Sequence, residues 1–454
     1  MIKRLSPFLR YVLYNLRGGF LVRPLIIALA LGILGAALSI LEQSYPSLSS
    51  WVPLVLFPSR EDPQVAQTIL GTIAASMMTV VSIVFAILLM TLTLASMQYS
   101  PRILTAFAQD KVTQQTLGIF LGTFTYCIAA LPAAHFLPHP AEPVLTVLGS
   151  MVLALACVGW LLYFIHHISQ AIGVNHIVDR IAGETEAIID ETMPKPNRRD
   201  RMADIAPPAF DQRQASILSE SSGYVRFIDT GLLVSLAKSY GLTVQVLRRV
   251  GHFVPQGVPL MIVSRGDKLT PSRIADLRSV FDLGATRTLQ QDIEFGILQI
   301  VDIALKAISP AVNDPSTAIN CIDQLTRVLI RFASRDIPDT RYYDPPGVIR
   351  VTIPWLGFER LMDSAFEQIR LYAKADVAVS LRMLRALGDI SLTIPDMEER
   401  QLLADRGRRI VAGCAAQIGE EEVRELRARQ ASLEKLVEAV SPLPGAPFPA
   451  LNNS

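Results

Sequence analysis

The sequence predicts an α-helical membrane domain of four transmembrane helices, followed by an α+β cytoplasmic domain with a small β-barrel-like part and a helical part. Half of the 454 residues are hydrophobic and only 18% are charged, which is apolar for a chain that lives wholly in water. The apolar excess lies almost entirely before Gln170, in four long uncharged runs, and beyond it charged and apolar residues alternate. The composition therefore averages over two solvents.

Val22 to Leu41, VRPLIIALALGILGAALSIL, has no charge after Arg23 and matches the roughly 20 residues needed to cross the hydrocarbon core. A cleaved signal peptide is the competing reading, but the segment before it is long and no A-x-A site follows. The second span lies within Val65 to Met97, an uncharged run that would be roughly 50 Å long as a helix and must tilt or protrude. The third runs from Thr116 to Leu137 and the fourth from Val144 to Ile168, joined by a turn rich in proline at 138, 140 and 143.

Lys3, Arg4, Arg10, Arg17 and Arg23 precede the first span, Arg102 and Lys111 lie between the second and third, and Arg180 follows the fourth. The two opposite loops hold only Arg60. By the positive-inside rule both termini are expected to be cytoplasmic. Pro7 to Leu16, within residues 1–21, reads as an amphipathic segment on the inner headgroup layer. Trp51 to Phe57 reads as interfacial or re-entrant, being too short to span.

The domain reading is an interfacial segment at 1–21, the transmembrane domain at 22–168, a helical stalk at 169–193 and a linker at 194–213. A β-rich subdomain at 214–265, a helical subdomain at 270–440 and a disordered tail at 441–454 follow. The stalk continues the fourth span through Ile172, Ile177, Ile181 and Ile188, and stops near Met193 where Pro194 and Pro196 open the linker. The strand-like pieces SILSE, GYVRFID, LTVQVLRRV and VPLMIVS are separated by Gly223, Gly241 and Gly251, with a short helix capped by Asp229 or Thr230. Their order looks like half of a barrel-sandwich fold of the lipoyl-carrier type, without a lysine at a hairpin tip.

From Thr270, the cap of a helix starting at Pro271, the chain reads as mainly helical to about Val440. Asp292 to Ile308 would bury Ile293, Ile297, Ile300, Ala304 and Ile308. Asp292, Gln299, Asp302 and Lys306 line another face, Asp302 and Lys306 as an i,i+4 pair. Asp314 and Pro315 then open the next helix.

Several functions are disfavoured. A net charge of +1 argues against a nucleic-acid partner, which needs a concentrated basic surface. Arg198, Arg199 and Arg201 in the linker suit anionic headgroups better. Cys127, Cys157, Cys321 and Cys414 form no CxxC or Cys/His cluster and read as packed thiols. His166, His167 and His176 do not share a helix face and read as interfacial, without a metal. No Walker loop, GxGxxG, GxSxG, HExxH or kinase set is present, so no catalytic residue, no cofactor and no enzyme activity is assigned.

Thr72, Ser76, Thr79, Ala86 and Thr93 recur on one stripe of the second span. Close helix packing explains such a stripe, as it explains Gly32 with Ala36 and Gly118 with Gly122; a hydroxyl-lined pore wall is the sharper reading. The spans carry no buried Asp, Glu, Lys or Arg, which disfavours a charge-coupled carrier and leaves a neutral pore open. In the soluble part, Asp302, Asn313, Asp314 and Asp323 could hold a cation or ligand, or could serve as helix caps and surface pairs.

Gln98-Tyr99-Ser100-Pro101-Arg102, and RTLQQDIEFGILQIVDIALKAISPAVNDPSTA from Arg287 to Ala318, resemble the domain-of-unknown-function 2254 family of predicted bacterial membrane proteins. The resemblance covers most of the chain. It implies a bacterial inner-membrane, multi-pass protein with this two-part architecture, and it transfers no residue role.

The leading functional expectation is a homo-oligomeric channel in the lipid bilayer, its pore lined by Thr72, Ser76, Thr79 and Thr93, with the cytoplasmic domain gating or assembling it. Gln98, Arg102, Asp302, Asn313 and Asp314 are the coupling or ligand candidates. The alternative is a membrane-anchored sensory or scaffold protein whose cytoplasmic domain binds an unidentified protein or a small ligand.

Overall fold

The computed structural model describes residues 22–45, 63–98, 110–131, 144–171, 173–194, 214–336, 341–344 and 348–438. Arg102, the segment Pro7 to Leu16, the segment Trp51 to Phe57, most of the linker and the C-terminal tail lie outside them. The chain divides into two compact units, Met1–His176 and Ile177–Ser454.

Among the described residues the first unit holds four helices: α1 (Val22–Ser44), α2 (Pro63–Gln98), α3 (Lys111–Ala130) and α4 (Val144–Ala171). Three of them, α1, α2 and α4, are long and apolar enough to cross a membrane. The expected third span coincides with α3, which has a different character. Thr113, Gln114, Thr116, Thr123 and Tyr126 on α3 are all buried, and neighbouring helices answer several polar groups of α3. The Tyr126 hydroxyl donates to Thr146 O at 3.0 Å, and Trp160 Nε1 donates to Thr116 Oγ1 at 2.9 Å. Thr125 Oγ1 donates to Ala28 O at 2.7 Å. A helix wrapped by its partners needs less apolar surface than one facing lipid.

Close approach between α1 and α3 depends on small residues. A Cβ on Gly35 would lie 2.6 Å from Tyr126 O, and one on Gly122 would lie 2.4 Å from Leu31 Cδ1. The small-residue spacing at Gly118 and Gly122 is thus a packing device.

One expectation about charge is corrected here. Helix α1 runs past the apolar stretch to Ser44, and Glu42 on its last turn is only 3% exposed. Its carboxylate accepts from Leu145 N at 2.6 Å, Thr146 N at 3.1 Å and Thr146 Oγ1 at 2.8 Å. A buried ionisable group is therefore present at a helix end, where the orphan amides of α4 need an acceptor. At the other end of α4, His167 Nε2 lies 3.2 Å from Asp110 Oδ2, the same carboxylate that caps α3 through Thr113 N and Oγ1. His167 thus has a specific partner rather than a free interfacial position.

Helix α5 (Val174–Thr192), the expected stalk, follows α4 after Gly173 and lies in the second unit from Ile177 on. Then come β1 (Ala215–Leu218), β2 (Gly223–Ile228), α6 (Thr230–Tyr240), β3 (Val244–Val246), β4 (Phe253–Val254) and β5 (Pro259–Val263). Asp229 caps α6 by accepting from Leu232 N, and Gly241 ends it in the left-handed region at φ 63°, where glycine carries no Cβ penalty. After α7 (Pro271–Arg278), capped by Thr270, the structure departs from the helical reading. β6 (Phe281–Gly284), β7 (Arg341–Asp344) and β8 (Val348–Thr352) are strands.

These strands form two sheets, one of order β1-β5-β3-β8-β7 and one of order β4-β2-β6. β8 lies parallel to β3, pairing Val244 with Val351; the other pairs are antiparallel. The expected barrel-sandwich half is replaced by this arrangement, because a strand from far along the chain completes the larger sheet. Val225, Leu233, Val244, Met261, Leu277 and Val351 belong to one apolar core, so the late strands share it with the early ones.

The helical part contains α8 (Ile293–Ala307), α9 (Pro315–Ala333), α10 (Phe358–Tyr372), α11 (Val377–Ser391), α12 (Met397–Cys414) and α13 (Glu420–Glu438). α8 packs against α9 and α10, and α11 against α9, α12 and α13. The expected two-faced α8 is instead buried nearly all round: besides its apolar residues, Glu294 and Gln299 are each 5% exposed. A Cβ on Gly296 would lie 2.0 Å from Thr185 Oγ1, so α5 touches the backbone of α8 there. Arg327 on α9 pairs with Asp179 and Glu186 on α5, and Arg331 and Arg335 pair with Asp190.

Candidate functional site

The carboxylate of Glu294, in the first turn of α8, is the centre of a cluster drawn from four elements. Arg249 Nη2 donates to its Oε2 at 3.0 Å, and Arg287 Nη2 approaches the same oxygen at 3.3 Å. Its Oε1 receives Ser364 Oγ at 3.0 Å and Arg360 Nε at 3.3 Å. Arg287 also grips Asp292 through two bonds of 2.7 Å, a bidentate pairing that fixes geometry as well as charge. Asp292 simultaneously caps α8 by accepting from Phe295 N at 3.0 Å.

Burial alone would raise the Glu294 pKa, yet the Arg249 guanidinium, the Ser364 hydroxyl and the Arg287 guanidinium outweigh it and hold the carboxyl down at about 2. His252 is pushed below its usual range, first by burial and then by Arg249 and Arg248; both groups obey the same local positive field. Gly251 closes the loop over this cluster at φ 86°, and a Cβ there would meet Arg287 Nη2 and Asp292 Oδ2 at 2.6 Å. Only glycine satisfies both the conformation and the space.

A cleft of about 470 Å³ opens beside the cluster. The last turn of α5 contributes Glu191 and Thr192, the start of α8 contributes Gln291 and Ile293, and the strand region contributes Tyr342 and Trp355. Gln291 is anchored, its Oε1 accepting from Ile228 N at 3.1 Å. The buried Nε1 of Trp355 has no hydrogen-bond partner among the described residues. Buried indole N–H groups ordinarily find one.

The structure treats the sequence candidates unequally. Asp314 caps α9, Oδ1 accepting from Thr317 N at 3.1 Å and Oδ2 from Thr317 Oγ1 at 2.6 Å, and these bonds hold its carboxyl below the usual range. Asn313 supplies the left-handed residue of that turn at φ 49°, a conformation asparagine tolerates. Asp302 is half-buried on α8, and Asp323 pairs with Arg382. Asp314 thus serves as a helix cap and Asp323 as one half of an ion pair. Gln98 ends α2. Among the described residues no cluster of histidine, cysteine and carboxylate groups could hold a metal, and all four cysteines are free and buried.

Thr72, Ser76, Thr79 and Thr93 are all exposed on α2, whereas Ala66, Leu70, Ala74, Met77 and Val84 form its buried side. The stripe is therefore not the face that packs against the chain's own helices. The hydroxyls of Thr72, Thr79 and Thr93 donate to the carbonyls of Thr68, Ala75 and Leu89. Ile83 and Met90 interrupt the same outward face.

Sequence reasoning missed Arg249, Glu294, Arg360 and Trp355, which come from separated segments. The available signal was the RTLQQD stretch, since Arg287 and Asp292 do meet, and Gly251, which marks a close approach.

Comparison with known proteins finds a membrane-protein family. The predicted membrane protein family DUF2254 matches residues 17–389. An uncharacterized protein of Mycobacterium bovis and one of Mycobacterium tuberculosis are each 30% identical to the chain over 434 residues, covering 94% of it and 81% of the relative. No solved structure matches. With the family match spanning both units and the apolar helices of the first, the chain belongs to the DUF2254 family of predicted membrane proteins.

Proposed function

We propose that the protein is a multi-pass sensor of the bacterial inner membrane, with both termini cytoplasmic and α3 as a fourth crossing, whose soluble unit binds a small ligand. The cleft beside Glu294 carries this reading. It has the volume and mixed lining of a small-molecule site,, and Trp355, whose buried indole N–H has no partner among the described residues, lies on its wall. Its rim includes the end of α5, the helix that follows span α4 along the chain after Gly173. A bound ligand would thus touch the element through which the soluble unit is connected to the membrane. The test is hydrogen exchange on the full chain in lipid, with and without a cytoplasmic small-molecule extract. Slower exchange at residues 188–192 and 353–356 supports the reading, and no change at either segment with any extract fraction overturns it.

A second reading, a homo-oligomeric channel, is favoured by the outward face of α2. The outward faces of α1 and α4 carry bulky groups such as Leu29, Ile33, Val152 and Leu155, suited to lipid. The corresponding face of α2 carries Thr72, Ser76 and Thr79, which allow helices of neighbouring copies to approach closely. Cysteines at Ser76 and Thr79 should cross-link between copies in membranes while a cysteine at Leu155 does not. Equal yields at all three positions, or none, remove this reading.

A further inference from the structure

We propose that the cleft takes a small organic cation, an alkylated ammonium whose apolar groups meet Phe227, Tyr342 and Trp355 and whose charge is answered by Glu191. The inference rests on the ligand-binding reading above and specifies the chemistry of its ligand.

The first argument is charge. One arginine, Arg249, and three carboxylates, Glu191, Asp292 and Glu294, line the cleft. Arg249 is committed to Glu294 at 3.0 Å, and both side chains are largely buried. Asp292 is held by Arg287 through two bonds of 2.7 Å. Arg360, another cation at Glu294, is 69% exposed and is not part of the cleft lining. Glu191 is left over. The ion pairs between α5 and α9 use Asp179, Glu186 and Asp190, and Glu191 is exposed without a partner among the described residues. The unmatched charge of the lining is therefore negative.

The second argument is what each class of ligand would disturb. An anion would compete with Glu294 for Arg249, and a buried pair is costly to open. Trp355 keeps its indole N–H buried, so it offers an anion no donor. A cation leaves both buried pairs as they are and gives Glu191 the counter-charge it lacks.

The third argument is the walls. Phe227 on β2, Tyr342 on β7 and Trp355 after β8 come from three separate segments to line one cleft of about 470 Å³, and each is half-buried. Aromatic rings attract cations through their negative faces, and quaternary ammonium groups are recognised in this way. Alkylation suits the site because methyl groups spread the charge and require no hydrogen-bond acceptor, while Ile353 and Leu356 extend the apolar lining.

The test uses full-length protein in uncharged micelles of chain-deuterated maltoside. Choline and 3,3-dimethyl-1-butanol have nearly the same shape and differ in charge, and saturation-transfer NMR on their methyl signals gives the affinity of each. Saturable binding of choline is expected, roughly tenfold tighter than that of the alcohol. Glu191→Gln, at an exposed and unpaired position, should lower this preference severalfold, and Tyr342→Leu should weaken choline more than the alcohol. Should the Tyr342 variant misfold, Glu191→Gln still decides. Equal affinities of the two probes for the parent protein overturn the cationic class while leaving the ligand-binding reading intact. A preference that survives Glu191→Gln unchanged places the cation elsewhere and overturns the inference. Absence of choline binding also overturns it, and the ligand-binding reading is then decided by its own hydrogen-exchange experiment.

Discussion

Gly296→Ala tests the packing on which the second unit depends. An added Cβ would sit 2.0 Å from Thr185 Oγ1 and 3.0 Å from its Cγ2, far inside the roughly 3.5 Å of a comfortable contact. Thr185 cannot retreat easily, since it is fully buried and its hydroxyl is tied to Ile181 O at 2.7 Å. Overpacking of this kind costs about 1 to 3 kcal/mol, and the short distance argues for the upper end. Alanine recovers about 1 kcal/mol of helix propensity over glycine, so the net loss should be about 2 kcal/mol. For a unit of this size that lowers the melting temperature by roughly 4–8 °C. Thr185→Ala removes both offending atoms, and the double variant should melt near the parent, giving a coupling of about 2 kcal/mol. The assay is thermal unfolding of the purified full-length protein in nanodiscs, followed by far-ultraviolet circular dichroism. If Gly296→Ala melts at or above the parent temperature, or if the double variant is no better than Gly296→Ala alone, the contact between α5 and α8 is not as described.

Two further outcomes follow from the charged groups. Glu294 is protonated near 4.5 when unfolded and near 2 when folded, so its stabilisation is complete above about pH 5 and lost as the pH falls through 2. The shift corresponds to about 3 kcal/mol, and Glu294→Gln should flatten the acid limb of the stability profile while lowering stability at pH 7 by about 3 to 5 kcal/mol; an unchanged acid limb would show that Glu294 does not titrate as a paired carboxylate. Asp314→Ala should cost about 0.5 to 2 kcal/mol as the loss of an N-cap, with Asp314→Asn much closer to the parent in chemical denaturation, and equal losses from the two variants would contradict the capping role.

What was legible in the sequence was local. Asp229 with Gly241, Thr270 with Pro271, Asp292, and Asp314 with Pro315 all mark helix ends within a few residues, because a cap needs only its own first turn. The strand β8 was not legible, since it earns its place by pairing with the three-residue β3 more than one hundred residues earlier. Asp292 and Gln299 read as a polar face of α8, yet both are buried. Helical periodicity assumes that one side meets water, and α8 has neighbours on several sides. The charge cluster was hidden for a related reason: Arg249, Glu294 and Arg360 each look like ordinary surface charges until the loop after β3, α8 and α10 bring them together. On α2 the hydroxyl stripe was visible, but whether it faced inward or outward depended on the other three helices.

Glu42 bears on how the first unit is made. Ribosomes deliver α1 before α4, and 103 residues separate Glu42 from its partner Leu145. During that interval α1 carries a carboxylate without the amides that later receive it, so water or headgroups must solvate that end of the helix. The arrival of α4 then releases the solvent and fastens α1 to it. Biogenesis thereby acquires a completion step: a nascent chain truncated before Val144 has an unfinished α1, and a full one does not.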